Sequence, residues 1–193
     1  MRQHISGSRA AARAPLQPGD PTGLLEVDGS VQLLGRTLLY INKQSGASAL
    51  LQATGSITFG GDLSVTNLGG TLTAGDVFKV FDAPSIQGSF ASIELPTLST
   101  SLLWDTTALI RDGTLRVTPR PPQFYPVAVN NGSLLLQVDT WTGLTYELQS
   151  SEKLGVDAQW TVISTTPGTG SPLNVSLPID PNKSSSYYRF RVY

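Results

Sequence analysis

From Gly23 to Thr118 the chain is written in short β-like runs closed by glycine, as in GLLEVDG, SVQLLG, ALLQATG, SITFGG, DLSVTNLGG and VFKVFDAP. Strands of roughly four to seven residues fit every run. Alternation is legible inside them: Leu63, Val65 and Asn67 share one face and Ser64, Thr66 and Leu68 the other. Likewise Val77, Lys79 and Phe81 alternate with Phe78, Val80 and Asp82, the period of two that side chains follow along a strand. Asp28-Gly29, Gly60-Gly61, Gly69-Gly70 and Asp112-Gly113 stand where tight turns between strands are wanted. No segment carries a helical stripe, so the expected fold class is all-β, with LLWDTTALIRDG read as one more strand run.

Two stretches, GLLEVDGSVQLLGRTLLYI and ALLQATGSITFGGDLSVTNLGGTLTAGD, both read strand, Gly, strand, Gly, strand. A repeat of roughly 20 residues whose apolar face needs a neighbouring coil to bury it is the pattern of a β-solenoid. After Val80 the spacing breaks down, and FDAPSIQGSFASIELPTLSTSLLWDTTALIRDGTLRVTP reads as the cap that closes an open coil end. Residues 1–20 read as a disordered leader, with Arg2, Arg9 and Arg13 and without the apolar stretch of a signal peptide. A coil stack that began after residue 20 would leave an unpaired edge open to another chain.

The firmest boundary is Pro119-Arg120-Pro121-Pro122, a stiff run that stops strands and reads as a linker over 119–123. Beyond it AVNNGSLLLQV, TGLTYELQSS, QWTVIST, PLNVSLP and SSYYRFRVY give five or six strands with turn signals at Asn131-Gly132, Thr142-Gly143 and Pro167-Gly168. The expected organisation is a leader over 1–20, solenoid coils and cap over 21–118, the linker, and a small antiparallel β-sandwich over 124–193.

Composition removes function classes more readily than it nominates one. Lys plus Arg number 13 and Asp plus Glu 14, a formal net charge of -1, so no field gathers nucleic acid or an anionic membrane. No stretch reaches the ~20 apolar residues of a spanning helix. With no cysteine, disulfides, thiolate metal sites and cysteine nucleophiles are all excluded. The single histidine, His4, falls in the expected leader, so no folded Ser-His-Asp triad or multi-histidine metal site is expected. No cofactor is expected.

The strand ending VTNLGGTLTAGDVFKVFDA (Val65 to Ala83), the segment GSFASIELP (Gly88 to Pro96) and LLWDTTALIRDGTLRV (Leu102 to Val117) follow one another in an order that resembles the C-terminal passenger region of bacterial proteins with autotransporter-associated β-strand repeats. TGLTYELQSSEKL (Thr142 to Leu154), AQWTVI and the terminal SYYRFRVY resemble a small fibronectin type III-like β-domain. The resemblance implies the C-terminal part of a secreted or cell-surface repeat protein acting as a structural stalk and adhesion scaffold. Its implied partners are surface glycan or neighbouring β-repeat segments, with no nucleic acid and no membrane insertion. Autotransport is not implied, because no membrane-barrel strands follow the passenger-like part.

Candidate site residues are few. Trp160, alternating with Val162 and Ser164, and Trp104 read as core rings. Trp141 lies in a turn, where an exposed ring could stack on a sugar face. Tyr187 and Tyr188 are adjacent, so one faces the core and the other outward. Trp141, Tyr187 and Tyr188 are therefore the ligand-binding candidates of an alternative reading, a carbohydrate-binding accessory module. Glu26 and Asp28 share a strand face at the spacing a glycoside hydrolase needs, although a solvated face explains them more simply. Asp105, Asp112 and Asp180 read as turn formers. The calcium-loop pattern D-x-[DN]-x-[DN]-G is missing, as are catalytic and metal-ligating clusters. The glycosylation-type triplets at Asn131, Asn174 and Asn182 carry little weight.

Overall fold

The structure is a computed structural model that describes residues 2–12, 15–19 and 21–193, with side chains in the first stretch described for His4 and Ala12 only. The chain divides into two compact units, Met1–Thr118 and Pro119–Tyr193. The all-β class is correct for both.

The first unit contains β1 (Arg2–Ala12), β2 (Leu24–Leu33), β3 (Arg36–Asn42), β4 (Ala47–Ser48), β5 (Leu50–Ala53), β6 (Ser56–Phe59), β7 (Asp62–Asn67), β8 (Val77–Lys79), β9 (Phe81–Asp82), β10 (Ser85–Gly88), β11 (Ser92–Glu94), β12 (Leu102–Asp105), the short helix α1 (Leu109–Asp112) and β13 (Thr114–Pro119). Most of its strand pairs are parallel and in step. His4 pairs with Glu26, Glu26 with Gln52, and Gln52 with Asp82, so successive partners lie 22, 26 and 30 residues apart. β6 pairs with β2 and β10, and β7 with β3 and β11, in the same parallel sense.

In-register stacking puts like above like. Leu25, Leu51 and Phe81 form one inward column, Val31 and Ile57 a second, Leu39 and Val65 a third, all buried. Fully burying one such side chain stabilises by about 1.5–3 kcal/mol. The outward rows are polar and bonded from strand to strand: Gln52 Nε2 donates to Asp82 Oδ2 at 3.0 Å, Gln87 Nε2 to Thr58 Oγ1 at 3.2 Å, and Arg36 Nη2 to Glu94 Oε2 at 3.1 Å. Where the chain bends between β6 and β7, Gly61 has φ +54°, and a Cβ there would meet the Gly35 carbonyl oxygen at 2.1 Å. Only glycine fits such a corner.

Three sequence expectations are corrected here. The disordered leader is placed instead as β1, paired in parallel with β2 from Leu24 to Leu33 across one register shift. The unpaired row of β2 amides and carbonyls supplies the reason, since backbone pairing at an edge needs no apolar side chain. The run LLWDTTALIRDG is not a single strand. Asp105 Oδ1 accepts from the Thr107 amide and hydroxyl at 2.9 and 2.6 Å, closing an Asx turn that ends β12 and admits α1. The alternation across Val77–Asp82 also breaks at Val80: β8 pairs antiparallel with β13, while β9 pairs parallel with β5, and both Val80 and Phe81 end up buried. β12, β13 and β8 form a separate three-stranded sheet.

The second unit holds β14 (Ala128–Asn130), β15 (Ser133–Val138), β16 (Thr145–Ser151), β17 (Thr161–Pro167), β18 (Leu173–Pro178) and β19 (Tyr187–Val192), all paired antiparallel. The strands make two three-stranded sheets, β14-β15-β18 and β17-β16-β19. Leu136 and Leu177 from the first meet Leu148 from the second, with Leu134, Val175, Tyr188 and Phe190 packed around them. Among the described residues no helix is long and apolar enough to cross a membrane.

Candidate functional site

Alternation along β19 decides which of its side chains can act. Tyr188 and Phe190 pack on the core cluster, so Tyr187, Arg189 and Arg191 take the opposite, outer face. Directly across on β16 stand Ser151, Gln149 and Glu147. Arg189 Nε donates to Gln149 Oε1 at 2.7 Å, and the Gln149 amide nitrogen donates to Glu147. The Arg189 guanidinium carbon lies 4.1 Å from the centroid of Trp160, and that of Arg191 lies 5.7 Å from the centroid of Tyr193. Both distances fall within the range where a cation is attracted by a ring face.

This arrangement corrects the reading of Trp160 as a core ring. It is half-buried, and the Arg189 guanidinium lies over its face. Trp104 is also only half-buried. Its Nε1 donates to the Pro96 carbonyl at 2.8 Å, and its ring centroid is 6.4 Å from that of Phe78.

Trp141 is half-buried in the loop before β16. Its amide donates to the Tyr146 hydroxyl oxygen at 2.8 Å, and the Arg120 guanidinium carbon lies 5.8 Å from its ring centroid. The loop is held further by Thr140 Oγ1, which donates to the Ser171 carbonyl at 2.7 Å and accepts from the Thr169 amide at 3.1 Å. Tyr146 is fully buried, and burial pushes its hydroxyl pKa up. Tyr187 and Tyr188 pair with Ser151 and Ser150, at the end of β16 away from Tyr146. The structure therefore does not bring Trp141 and the tandem tyrosines into one platform.

Tyr146→Phe follows directly as a test of the Trp141 loop. It removes the acceptor for the half-buried Trp141 amide without changing ring volume, and losing one such hydrogen bond costs about 0.5–1.5 kcal/mol. Urea unfolding of the variant, followed by tryptophan fluorescence, is expected to show a loss in that range. An unchanged midpoint would mean that water replaces the phenol.

Glu26, Asp28 and Asp82 of the first unit line an open cleft of about 500 Å³ with His4, Gln52 and Thr54. His4 belongs to β1 rather than to a loose leader, and its Nε2 lies 3.1 Å from Asp28 Oδ2, both side chains more than half exposed. The expectation that histidine stands outside the fold is thus corrected. Glu26 pairs between His4 and Gln52 along the same row. Among the described residues no group of three or more His, Asp or Glu side chains is placed to hold a metal ion. Asp105, Asp112 and Asp180 do form turns: Asp112 Oδ1 accepts from the Thr114 amide at 3.2 Å and Asp180 Oδ1 from the Asn182 amide at 2.9 Å. The hydroxyl of Thr107 holds the Asp105 carboxyl below its usual range, and that of Thr114, with Arg116 beside it, does the same for Asp112.

Sequence reasoning missed Arg189, Gln149 and Glu147. Their signal is a cross-strand one, present only once β16 and β19 are paired in register. No family model matches the chain, and no curated protein and no solved structure matches it either.

Proposed function

We propose that the chain is a non-catalytic structural stalk and adhesion scaffold, the C-terminal part of a secreted or cell-surface repeat protein. In this reading β1 to β7 and β9 to β11 are terminal coils of a β-solenoid, the antiparallel β8, β12 and β13 with α1 are its cap, and the second unit is a small β-sandwich. The observation that carries it is the parallel ladder linking His4, Glu26, Gln52 and Asp82, with apolar columns inward and bonded polar rows outward. Such stacking makes stability grow with each neighbour added, which suits a rod that holds something away from a surface. Neighbouring β-repeat segments of a longer parent chain are then its natural partners.

The test has two arms. Full-length chain incubated with a panel of plant, bacterial and animal polysaccharides is expected to release no reducing ends, with His4→Ala, Glu26→Gln and Asp28→Asn indistinguishable from the parent. Turnover lost in any of the three would replace the scaffold by a hydrolase. Beads coated with the chain are expected to adhere to cell-surface polysaccharide, and soluble chain to compete them off. Beads that bind no better than uncoated ones would remove the adhesion half of the proposal.

A further inference from the structure

The outer face of β17-β16-β19 holds a guanidinium whose position is fixed before any ligand arrives. Gln149 is 6% exposed although it lies on the solvent side of its sheet, and its amide oxygen and nitrogen are both bonded, to Arg189 and Glu147. A buried amide so satisfied is rigid. It holds Arg189 by Nε, while the Trp160 ring 4.1 Å away limits the plane of the group. Among the described residues Nη1 and Nη2 of Arg189 have no acceptor, and Arg191 has no carboxylate partner. The two arginines are two residues apart on one strand face, roughly 7 Å along the strand. Ordering a long side chain on binding costs conformational entropy, and here Gln149 and Trp160 have already imposed most of that order.

The chemistry of the face selects a ligand. A free guanidinium fork matches a carboxylate through two parallel N–H···O bonds. Glu147 beside it, as a carboxylate, accepts hydrogen bonds and donates none, so a ligand must also bring hydroxyl donors close to its own carboxylate. Exposed Thr165, paired with Glu147, and Tyr187, beside Arg189 on the strand, complete a face of hydroxyls and rings. A polymer of acidic side chains satisfies the arginines but sets carboxylates against Glu147. A sugar bearing a carboxylate offers both groups on one ring, together with an apolar face for an aromatic.

We propose that this face binds an acidic polysaccharide built of uronic-acid residues, with Arg189 clamping a carboxylate, Arg191 attracting the next, and Glu147 accepting from sugar hydroxyls. The site uses neither Trp141 nor Tyr188; it gives the adhesion half of the scaffold reading a ligand class and is independent of the stacked-coil half.

Titration of full-length chain with tetragalacturonate by calorimetry at low salt tests it. Saturable binding with Kd below about 1 mM is expected, with the methyl-esterified tetramer and a neutral cello-oligosaccharide at least about tenfold weaker. Arg189→Lys keeps the charge but loses the fork, and is expected to weaken binding by about tenfold or more with an unchanged thermal melt. If that variant melts early, Arg191→Gln serves in its place, with an expected loss of about threefold or more. Absence of saturation by about 10 mM, equal affinity for the ester, or affinity unchanged in the folded variant overturns the proposal. Tighter binding of an oligoglutamate than of the uronide also overturns it, and assigns the face to an acidic protein segment.

Discussion

Phe81→Ala is expected to remove about 3–5 kcal/mol from the stability of the first unit, a large part of the 5–15 kcal/mol that holds a typical domain together. Phe81 is fully buried and pairs with Leu51 in the inward column. Its ring centroid is 4.8 Å from that of Phe59 and 6.0 Å from that of Phe90, while Phe59 and Phe90 stack at 4.5 Å. Alanine would leave a ring-sized void among three strand levels that cannot close independently, because each is tied to the next by backbone bonds. Two aromatic contacts would go with it, each worth about 0.5–1.5 kcal/mol beyond the area they bury. Urea unfolding followed by far-ultraviolet circular dichroism measures the loss. Val77→Ala, at a side chain 56% exposed, is the control and is expected to stay within about 0.5 kcal/mol. A Phe81→Ala loss below about 1 kcal/mol would show that this ring is not part of the core.

Gly113→Ala is the second substitution with a large expected effect. Gly113 ends α1 at φ +69°, and its carbonyl oxygen accepts from both the Val80 and Phe81 amides, at 2.9 and 3.1 Å. A Cβ at this position would meet the Phe81 carbonyl oxygen at 2.0 Å. Left-handed backbone alone costs an ordinary residue about 1–2 kcal/mol. The clash adds to it, because relieving it means pulling apart the bonds that join β8 and β9 to the turn before β13. We expect a total loss of about 3 kcal/mol or more. Gly75→Ala separates the two contributions. Gly75 has φ +89°, and a methyl group there would meet nothing within 4 Å, so only the backbone cost of about 1–2 kcal/mol applies. Equal losses at the two sites, read by the same urea titration, would mean that the Phe81 carbonyl moves aside freely.

The residues that were legible from sequence are those whose neighbours along the chain fix them. Leu63 and Val65 read as one buried face because alternation is a property of the strand itself, and both are buried. Asp112 and Asp180 read as turn formers because their acceptor bonds reach only two residues ahead. Gly61 reads as a bend because it must occupy positive φ. The expectations that changed all depend on a distant partner. Val80 and Phe81 are both buried because the chain changes partner at Val80, from β13 for Val77–Lys79 to β5 for Phe81–Asp82. His4 became part of a row because the edge of β2 was there to receive β1.

Trp160 shows the same division at the site. Its alternation with Val162 and Ser164 gives a face but not which face is covered, and the tertiary arrangement puts Arg189 over the ring from two strands away. The sequence by itself determined the all-β class, the break at Pro119 and the corners, since strand period, proline stiffness and glycine freedom are local properties of the backbone. Tertiary structure alone decided the parallel stacking partners, the strand identity of residues 2–12 and the meeting of Gln149, Trp160 and Arg189. Those follow from register between strands, and 40 residues of chain separate Gln149 from the guanidinium it holds.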